Sequence, residues 1–295
     1  MISLSNQFSH PNTVNSLSAK AKIDIDSLVK TNLISAPGSL IQITNLLKDY
    51  NTSPKLIAEA FSYEPALVTK ILRLANSPIY SLENEVTSIS VAINTIGSKH
   101  LQELLMVQLA SITFGKQIHN NPIGKKIWEH SLAVAIYARE LSKMLEMHGV
   151  EENFTCGLLH DLGKLILLSH NFEEYLKILA ESESELLSSE MRQYGYTHAE
   201  IGSLVAKRWG LPDPVCYVIL NHHNPSQAQK LMLATHIIDV ADIMANIKGY
   251  GTRQEDESKI ACSESIMKLG FTAEVLERTW SNVEINIQEI IKTFA

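Results

Sequence analysis

The residues best suited to chemistry in this chain are histidines and aspartates that recur through its middle and second half. His160 and Asp161 stand side by side in GLLHDLGK (157–164), and His222 and His223 in ILNHHNP (219–225). His130 and His198 stand alone. His236, Asp239 and Asp242 follow one another at three-residue steps, a spacing that places neighbours on one face of a helix. Imidazole nitrogens combined with carboxylate oxygens are the donor set of zinc, iron and manganese sites. Ions held this way acidify bound water, and two of them about 3.5–4 Å apart can clamp a phosphoryl group from both sides. Lys164, one helical turn from His160, is placed to neutralise phosphate oxygens.

Each of these residues also has a plainer reading. A single histidine such as His198 on an apolar face is commonly a hydrogen-bonded core residue. On a helix, one of His222 and His223 must point away from the other's partners. Asp239, Asp242 and Lys164 could be solvated helix residues. The order in which the residues arrive, on successive helical segments, sets the set apart from scattered core histidines.

The elements that must position them are helical. The 295 residues contain 13 Gly and 9 Pro, few helix breakers for this length. Ser53-Pro54, Pro65, Ser88 and Ser98 open four short helices, and Asn121-Pro122 opens a long one. In that long helix Ile127, His130, Val134, Tyr137 and Leu141 share the inward face. Continuous helices are expected over Glu152–His170 and Ser226–Ile247. Thr197 and Glu200 form a capping box, and the helix begun at Asp213-Pro214 is expected to stop at Asn224-Pro225. The segment 251–259 reads as a polar loop, followed by two helices with Thr272 as a cap. No strand-like alternation or internal repeat is seen.

A net charge of −7 without a basic cluster argues against direct nucleic-acid binding. No apolar run reaches the roughly 20 residues of a membrane span, and the N-terminus lacks a signal-peptide pattern. Cys156, Cys216 and Cys262 have no paired spacing, which suits reduced thiols and a cytoplasmic location.

His130, His160-Asp161 and Asp242 resemble the H…HD…D pattern of the HD superfamily of metal-dependent phosphohydrolases. Asp242 rather than Asp239 is favoured as the closing residue because VADIM (240–244) fits best. His198 and the His222-His223 pair resemble the additional ligands of the HD-GYP branch. EPALVTKILRLANSPIYS (64–81), TSISVAINTIGSKHLQELL (87–105), IWEHSLAVA (127–135), GYTHAEIGSLVAKRWGLP (195–212) and VILNHH (218–223) are similar to the HDOD domain, a sister branch. The likeness extends from about Leu33 to Ile247.

The resemblance implies an all-α fold, an N-terminal helical subdomain packed on an HD-like helical subdomain. The expected divisions are a frayed tail over 1–22, an N-terminal helical part over 23–118, an HD-like part over 119–250, and a loop with C-terminal helices over 251–295. It implies metal ligation by His130, His160, Asp161, His198, His222, His223 and Asp242, with one or two divalent ions of iron, manganese or zinc. Lys164 and Arg208 are the candidate phosphate contacts if the protein is an enzyme. HDOD proteins are mostly bacterial regulatory modules, so the leading expectation is a stand-alone signalling module with an unidentified protein partner. Its partner surface is expected near Leu72–Ile79, with Leu82 and Glu83 in the adjoining loop. The second expectation is a metal-dependent phosphohydrolase. Cyclic-di-GMP cleavage of the HD-GYP kind is not expected: Asn224-Pro225-Ser226-Gln227 replaces the Glu and Gly-Tyr-Pro element, and Gly249-Tyr250-Gly251 lacks the Pro.

Overall fold

Ser53 keeps an extended backbone while its hydroxyl accepts from Leu56 N–H, and Pro54 starts the helix behind it. Asn121 does the same ahead of Pro122, accepting from Ile123 and Gly124. Local cap chemistry therefore sets many of the helix starts in this computed structural model, which describes residue 24 and residues 38–48, 52–77, 80 and 85–294. The tail over 1–22, part of the expected partner surface (78–79), and Leu82 and Glu83 lie outside the described residues.

The N-terminal block consists of α1 (Gly38–Lys48), α2 (Pro54–Ser62), α3 (Pro65–Ala75), α4 (Ile89–Ile96) and α5 (Ser98–Thr113). Asn76 caps α3, and its side chain also exchanges hydrogen bonds with both backbone groups of Val86, pinning the connection to α4. Ser98 is the first residue of α5 rather than its cap. Gly97 takes the cap position without a side-chain bond.

The second block follows as α6 (Gly115–His119), α7 (Pro122–Met144), α8 (Val150–Leu159), α9 (Leu162–His170), α10 (Phe172–Leu179), α11 (Glu183–Tyr194), α12 (His198–Arg208), α13 (Asp213–Asn221) and α14 (Met232–Ile247). α15 (Ser258–Cys262), α16 (Glu264–Leu269) and α17 (Ala273–Phe294) complete the described chain, three helices where two were expected. No described residue is in a strand, and the fold is all-α. No described helix is long and apolar enough to cross a membrane.

α7 is the axis of the second block. Trp128, Leu132, Val134, Ile136, Tyr137 and Leu141 on it are all at most 1% exposed. It packs against α8, α14 and α17, while α12 packs against α9 and α13. The N-terminal block rests on α8 through α5 and touches α17 through α3 and α5. Arg139 of α7 donates from Nη1 to Glu103 of α5 at 3.1 Å, a buried polar contact between the blocks.

Three expected helices are interrupted. The run Glu152–His170 breaks between α8 and α9, and His160 and Asp161 occupy the break. The run Ser226–Ile247 is a short 3-10 turn (Pro225–Gln227) and then α14. α13 ends at Asn221, three residues before Asn224.

Two glycines allow backbones to close on the break. A Cβ on Gly157 would lie 2.8 Å from Ala135 Cα of α7, and one on Gly163 would lie 2.0 Å from His198 O. Neither neighbour is a side chain that can move aside. Gly157→Ala and Gly163→Ala should each cost about 1–3 kcal/mol through overpacking. Urea denaturation checks this: an unchanged midpoint in either variant would show that the approach is looser than described.

Candidate metal centre

Four elements meet at Asp161. His130 projects from the middle of α7, and His160 with Asp161 from the α8–α9 break. His198 is the first residue of α12. His222 caps the C-terminus of α13, with His223 in the turn that follows. Because α13 has already ended, His222 and His223 are not held to helical divergence. Their ring centroids lie 4.0 Å apart and both stand beside His198. The expectation that one of the pair points elsewhere is thereby corrected.

Asp161 is 2% exposed and serves two groups of residues. Its Oδ1 lies 3.3 Å from His198 Nε2 and 4.0 Å from His222 Nε2. Its Oδ2 lies 3.4 Å from His160 Nε2, 3.8 Å from His130 Nε2 and 2.7 Å from Lys164 Nζ. Asp242 Oδ1 completes the second side, 2.8 Å from His130 Nε2 and 4.0 Å from His160 Nε2. Asp161, His198, His222 and His223 form one cluster of potential ligand atoms, and His130, His160 and Asp242 another.

The outer nitrogens of four rings are already committed. His130 Nδ1 donates to Tyr250 O at 3.0 Å, His160 Nδ1 to Gly157 O at 2.7 Å and His222 Nδ1 to Ile219 O at 2.7 Å. His198 Nδ1 donates to the Glu190 carboxylate at 2.8 Å. These partners only accept, so Nδ1 must carry the hydrogen and Nε2 faces inward. Among the described residues, His160 Nε2, His222 Nε2 and Asp161 Oδ1 are buried without a hydrogen-bond partner. The hydrogen-bond network is therefore not closed. Buried polar atoms left this way are costly unless a further group satisfies them, and all three atoms can donate an electron pair.

Charge follows the same arrangement. Burial opposes ionisation of Asp161, but the surrounding His160 and Lys164 hold its pKa well below the usual value. Asp242 is likewise depressed, its burial outweighed by the bond and charge of His130. Burial, then repulsion from His160 and His198, drives His222 down to about 3, and His223 is pushed well below the ordinary imidazole value mainly by burial. His130 and His198 go the other way: burial disfavours their charged forms, but Asp242 for the first and Glu190 for the second raise them.

Of the sequence candidates, His130, His160, Asp161, His198, His222, His223, Asp242 and Lys164 come together. Arg208 does not. It is the exposed last residue of α12, ten residues beyond His198 and so about 15 Å along the helix. Asp242 rather than Asp239 reaches the cluster. His236, two turns earlier on α14, bonds to Ser265 Oγ at 2.7 Å instead.

Several residues escaped sequence reading. Glu190 is fully buried, anchors His198 through both ring and backbone N–H, and accepts from Tyr175 Oη at 2.7 Å. Its signal was its position four residues after the buried Leu186, on the inward face of α11. Asn246 donates to Asp242 Oδ1 at 3.1 Å. Thr252, Arg253 and Glu255 line the site with Lys164, so the expected boundary at 250 passes through it. The cavity among them is about 30 Å³, room for one or two water-sized bodies. Arg253 also lines an adjoining open groove of about 590 Å³, and Nη2 donates to Glu181 O at 2.8 Å.

The family model for the HDOD domain matches residues 33–225. An HDOD domain protein of unknown function from Geobacter sulfurreducens has a similar fold, with a TM-score of 0.73 at 22% identity over 88% of this chain and 93% of that one. An uncharacterized protein from Treponema pallidum is 31% identical over 196 residues, 64% of this chain and 37% of its own length. Ribonuclease Y of Mycoplasma genitalium is 27% identical over 147 residues, 49% of this chain and 25% of its own length. The chain thus spans well under half of these two curated relatives.

The depressed His222 gives a signed pH dependence. Its ordinary value is 6.5 and its folded value about 3, so between these pH values the unfolded chain binds a proton that the folded chain refuses. The stability it contributes is complete above pH 6.5 and declines as pH falls toward 3. In chelator-treated protein, the stability difference between wild type and His222→Asn should fall by up to about 1.4 kcal/mol per pH unit across that window. Denaturant titration at several pH values measures it, and a pH-independent difference contradicts the assignment.

Proposed function

The chain belongs to the HDOD domain family, and from that premise we propose that it is a regulatory signal-transduction module built round a binuclear divalent metal centre. The observation that carries this reading is the Asp161 carboxylate, which directs one oxygen to each of two ligand clusters, with donor atoms left unpaired on both sides. His130, His160, Asp161 and Asp242 would hold one ion. Asp161, His198, His222 and His223 would hold the other. The donors are imidazoles and carboxylates without a thiolate, which suits iron, manganese or zinc. Such ions supply Lewis acidity at neutral pH. Glu190 and the backbone carbonyls fix the imidazoles' orientation and tautomer, the support that metal-bound histidines generally need.

A second reading, a metal-dependent phosphohydrolase, is favoured by the two cations at the site. Lys164 stands at Asp161 and Arg253 at the boundary between the inner cavity and the open groove. Here Lys164 and Arg253 would bind phosphate oxygens, with Arg253 in the role first expected of Arg208. The regulatory reading places the protein in the cytoplasm and gives it a protein partner at the N-terminal block. The net charge of −7 supports a protein rather than nucleic acid in that place.

Elemental mass spectrometry of untagged protein tests the centre. Two equivalents of iron, manganese or zinc are expected in the wild type, and fewer than about one in Asp161→Asn, which weakens both clusters. No metal after reconstitution would overturn the proposal. A phosphoester panel then separates the two readings. Metal-dependent turnover lost in His160→Ala and in Asp161→Ala establishes the hydrolase, whereas loaded protein without turnover leaves the regulatory module.

A further inference from the structure

Tyr250 is held at both ends. Its carbonyl accepts from His130 Nδ1 at 3.0 Å, and its N–H donates to Ala245 O at 3.0 Å, at the end of α14. Its hydroxyl donates to Glu284 Oε1 at 2.9 Å and accepts from Gln288 Nε2 at 2.8 Å. Glu284 and Gln288 are one turn apart on α17 and bond to each other at 3.2 Å. Glycines flank it on both sides, each with a positive φ. Gly249 has φ +79° and Gly251 φ +134°, and a Cβ on Gly251 would lie 2.8 Å from Asn246 Oδ1 and 3.2 Å from His130 Nδ1. A swing of the carbonyl that fixes the His130 tautomer would cost the imidazole its acceptor, and the ring of the same residue is fastened to α17.

α17 itself bridges the blocks. It runs along α7 and also touches α3 and α5. Asn286 and Ile290, within two turns of Glu284, line a cavity with Leu74, Tyr80 and His100 of the N-terminal block. The segment after residue 250, which carries no recognised motif, thus connects the N-terminal helices to a candidate metal ligand.

We propose that α17 is the positioning element of the metal centre: Glu284 and Gln288 fix Tyr250, and Tyr250 fixes the tautomer and direction of His130. Tyr250 and Glu284 are positioning residues, since neither reaches the site. The arrangement registers the seating of the N-terminal block on α17 as a change in how firmly His130 is presented. This rests on the metal-centre reading for its metal readout, but its imidazole readout is independent of it.

The test compares Tyr250→Phe and Glu284→Gln with Ile285→Ala, a control on the same helix whose side chain is 64% exposed. In chelator-treated protein labelled with 15N-histidine, exchange of the His130 Nδ1–H with water should be about tenfold faster in the first two variants and unchanged in the control. Co2+, used as the metal probe, should leave to chelator about three to ten times faster. The double variant Tyr250→Phe, Glu284→Gln should release it no faster than Tyr250→Phe alone, because both lie on one path. Glu284→Asp, which keeps the carboxylate, should recover part of the exchange protection and supports the same conclusion if Tyr250→Phe folds poorly. Exchange in Tyr250→Phe and Glu284→Gln indistinguishable from Ile285→Ala would overturn the proposal. If the wild type takes up no Co2+, the metal centre fails while the imidazole exchange still decides the positioning role.

Discussion

A carboxylate as buried as Asp161 stays ionised only if its surroundings replace the water it has lost. Here they do so with His160, His198 and Lys164, the ammonium at 2.7 Å. Much of the second block follows from this requirement. The imidazoles must arrive from α7, α12 and α13 with their outer nitrogens already occupied, because a ring free to flip would present N–H to the centre as readily as a lone pair. Three different backbone carbonyls and one carboxylate impose that choice. His160 Nε2, His222 Nε2 and Asp161 Oδ1 are left without a hydrogen-bond partner, an electrostatic demand that a cation would answer. Binding of such a cation to the folded state alone would add directly to stability.

The interrupted helices serve the same end. A continuous helix from Glu152 to His170 would fan successive side chains round its axis, and His160 and Asp161 would diverge by about 100°. Breaking the helix at these residues lets both enter one site, with the backbones brought close by Gly157 and Gly163. The early end of α13 does the same for His222 and His223. In both places adjacent residues of like purpose are usable because they sit where helical geometry stops.

Those breaks explain what the sequence could and could not convey. Cap chemistry is local, and Ser53-Pro54, Ser88, Asn121-Pro122 and the Thr197–Glu200 box were readable because the partners lie within a few residues. The inward face of α7, and His130 on it, followed from spacing alone. The break at His160 was not readable, since Leu158, Leu159, Leu162 and Leu165 continue a helical apolar pattern across it. Arg208 shares α12 with His198, but ten residues of helix separate them, and the sequence carries no signal for that distance from the cluster. Glu190 and Arg253 lie in polar stretches whose patterns resemble ordinary surface, and only the packing of α11 and the course of the 251–257 segment bring them inward. The resemblance supplied the candidate ligand set, while the carbonyls that orient it belong to residues whose side chains carry no signal for that task.

Arg139 shows that the two blocks are joined by chemistry as well as by apolar packing. It lies nine residues after His130 on α7, and Nη1 reaches both His100 at 2.9 Å and Glu103 at 3.1 Å. Burial raises Glu103 to about 7 despite the guanidinium beside it, and burial followed by Arg139 lowers His100 to about 4. An ion pair of this kind gains little net stability over apolar packing, but breaking it by removing one partner is expensive. Such a pair favours the seating of the N-terminal block that satisfies Arg139 over one that would leave it unpaired. α7 therefore carries one polar constraint toward the candidate metal centre and another toward the N-terminal block. α17 lies alongside it with its own connections to both. On the proposed coupling, a shift of the N-terminal block would strain two parallel links, both ending on the helix or the carbonyl that presents His130.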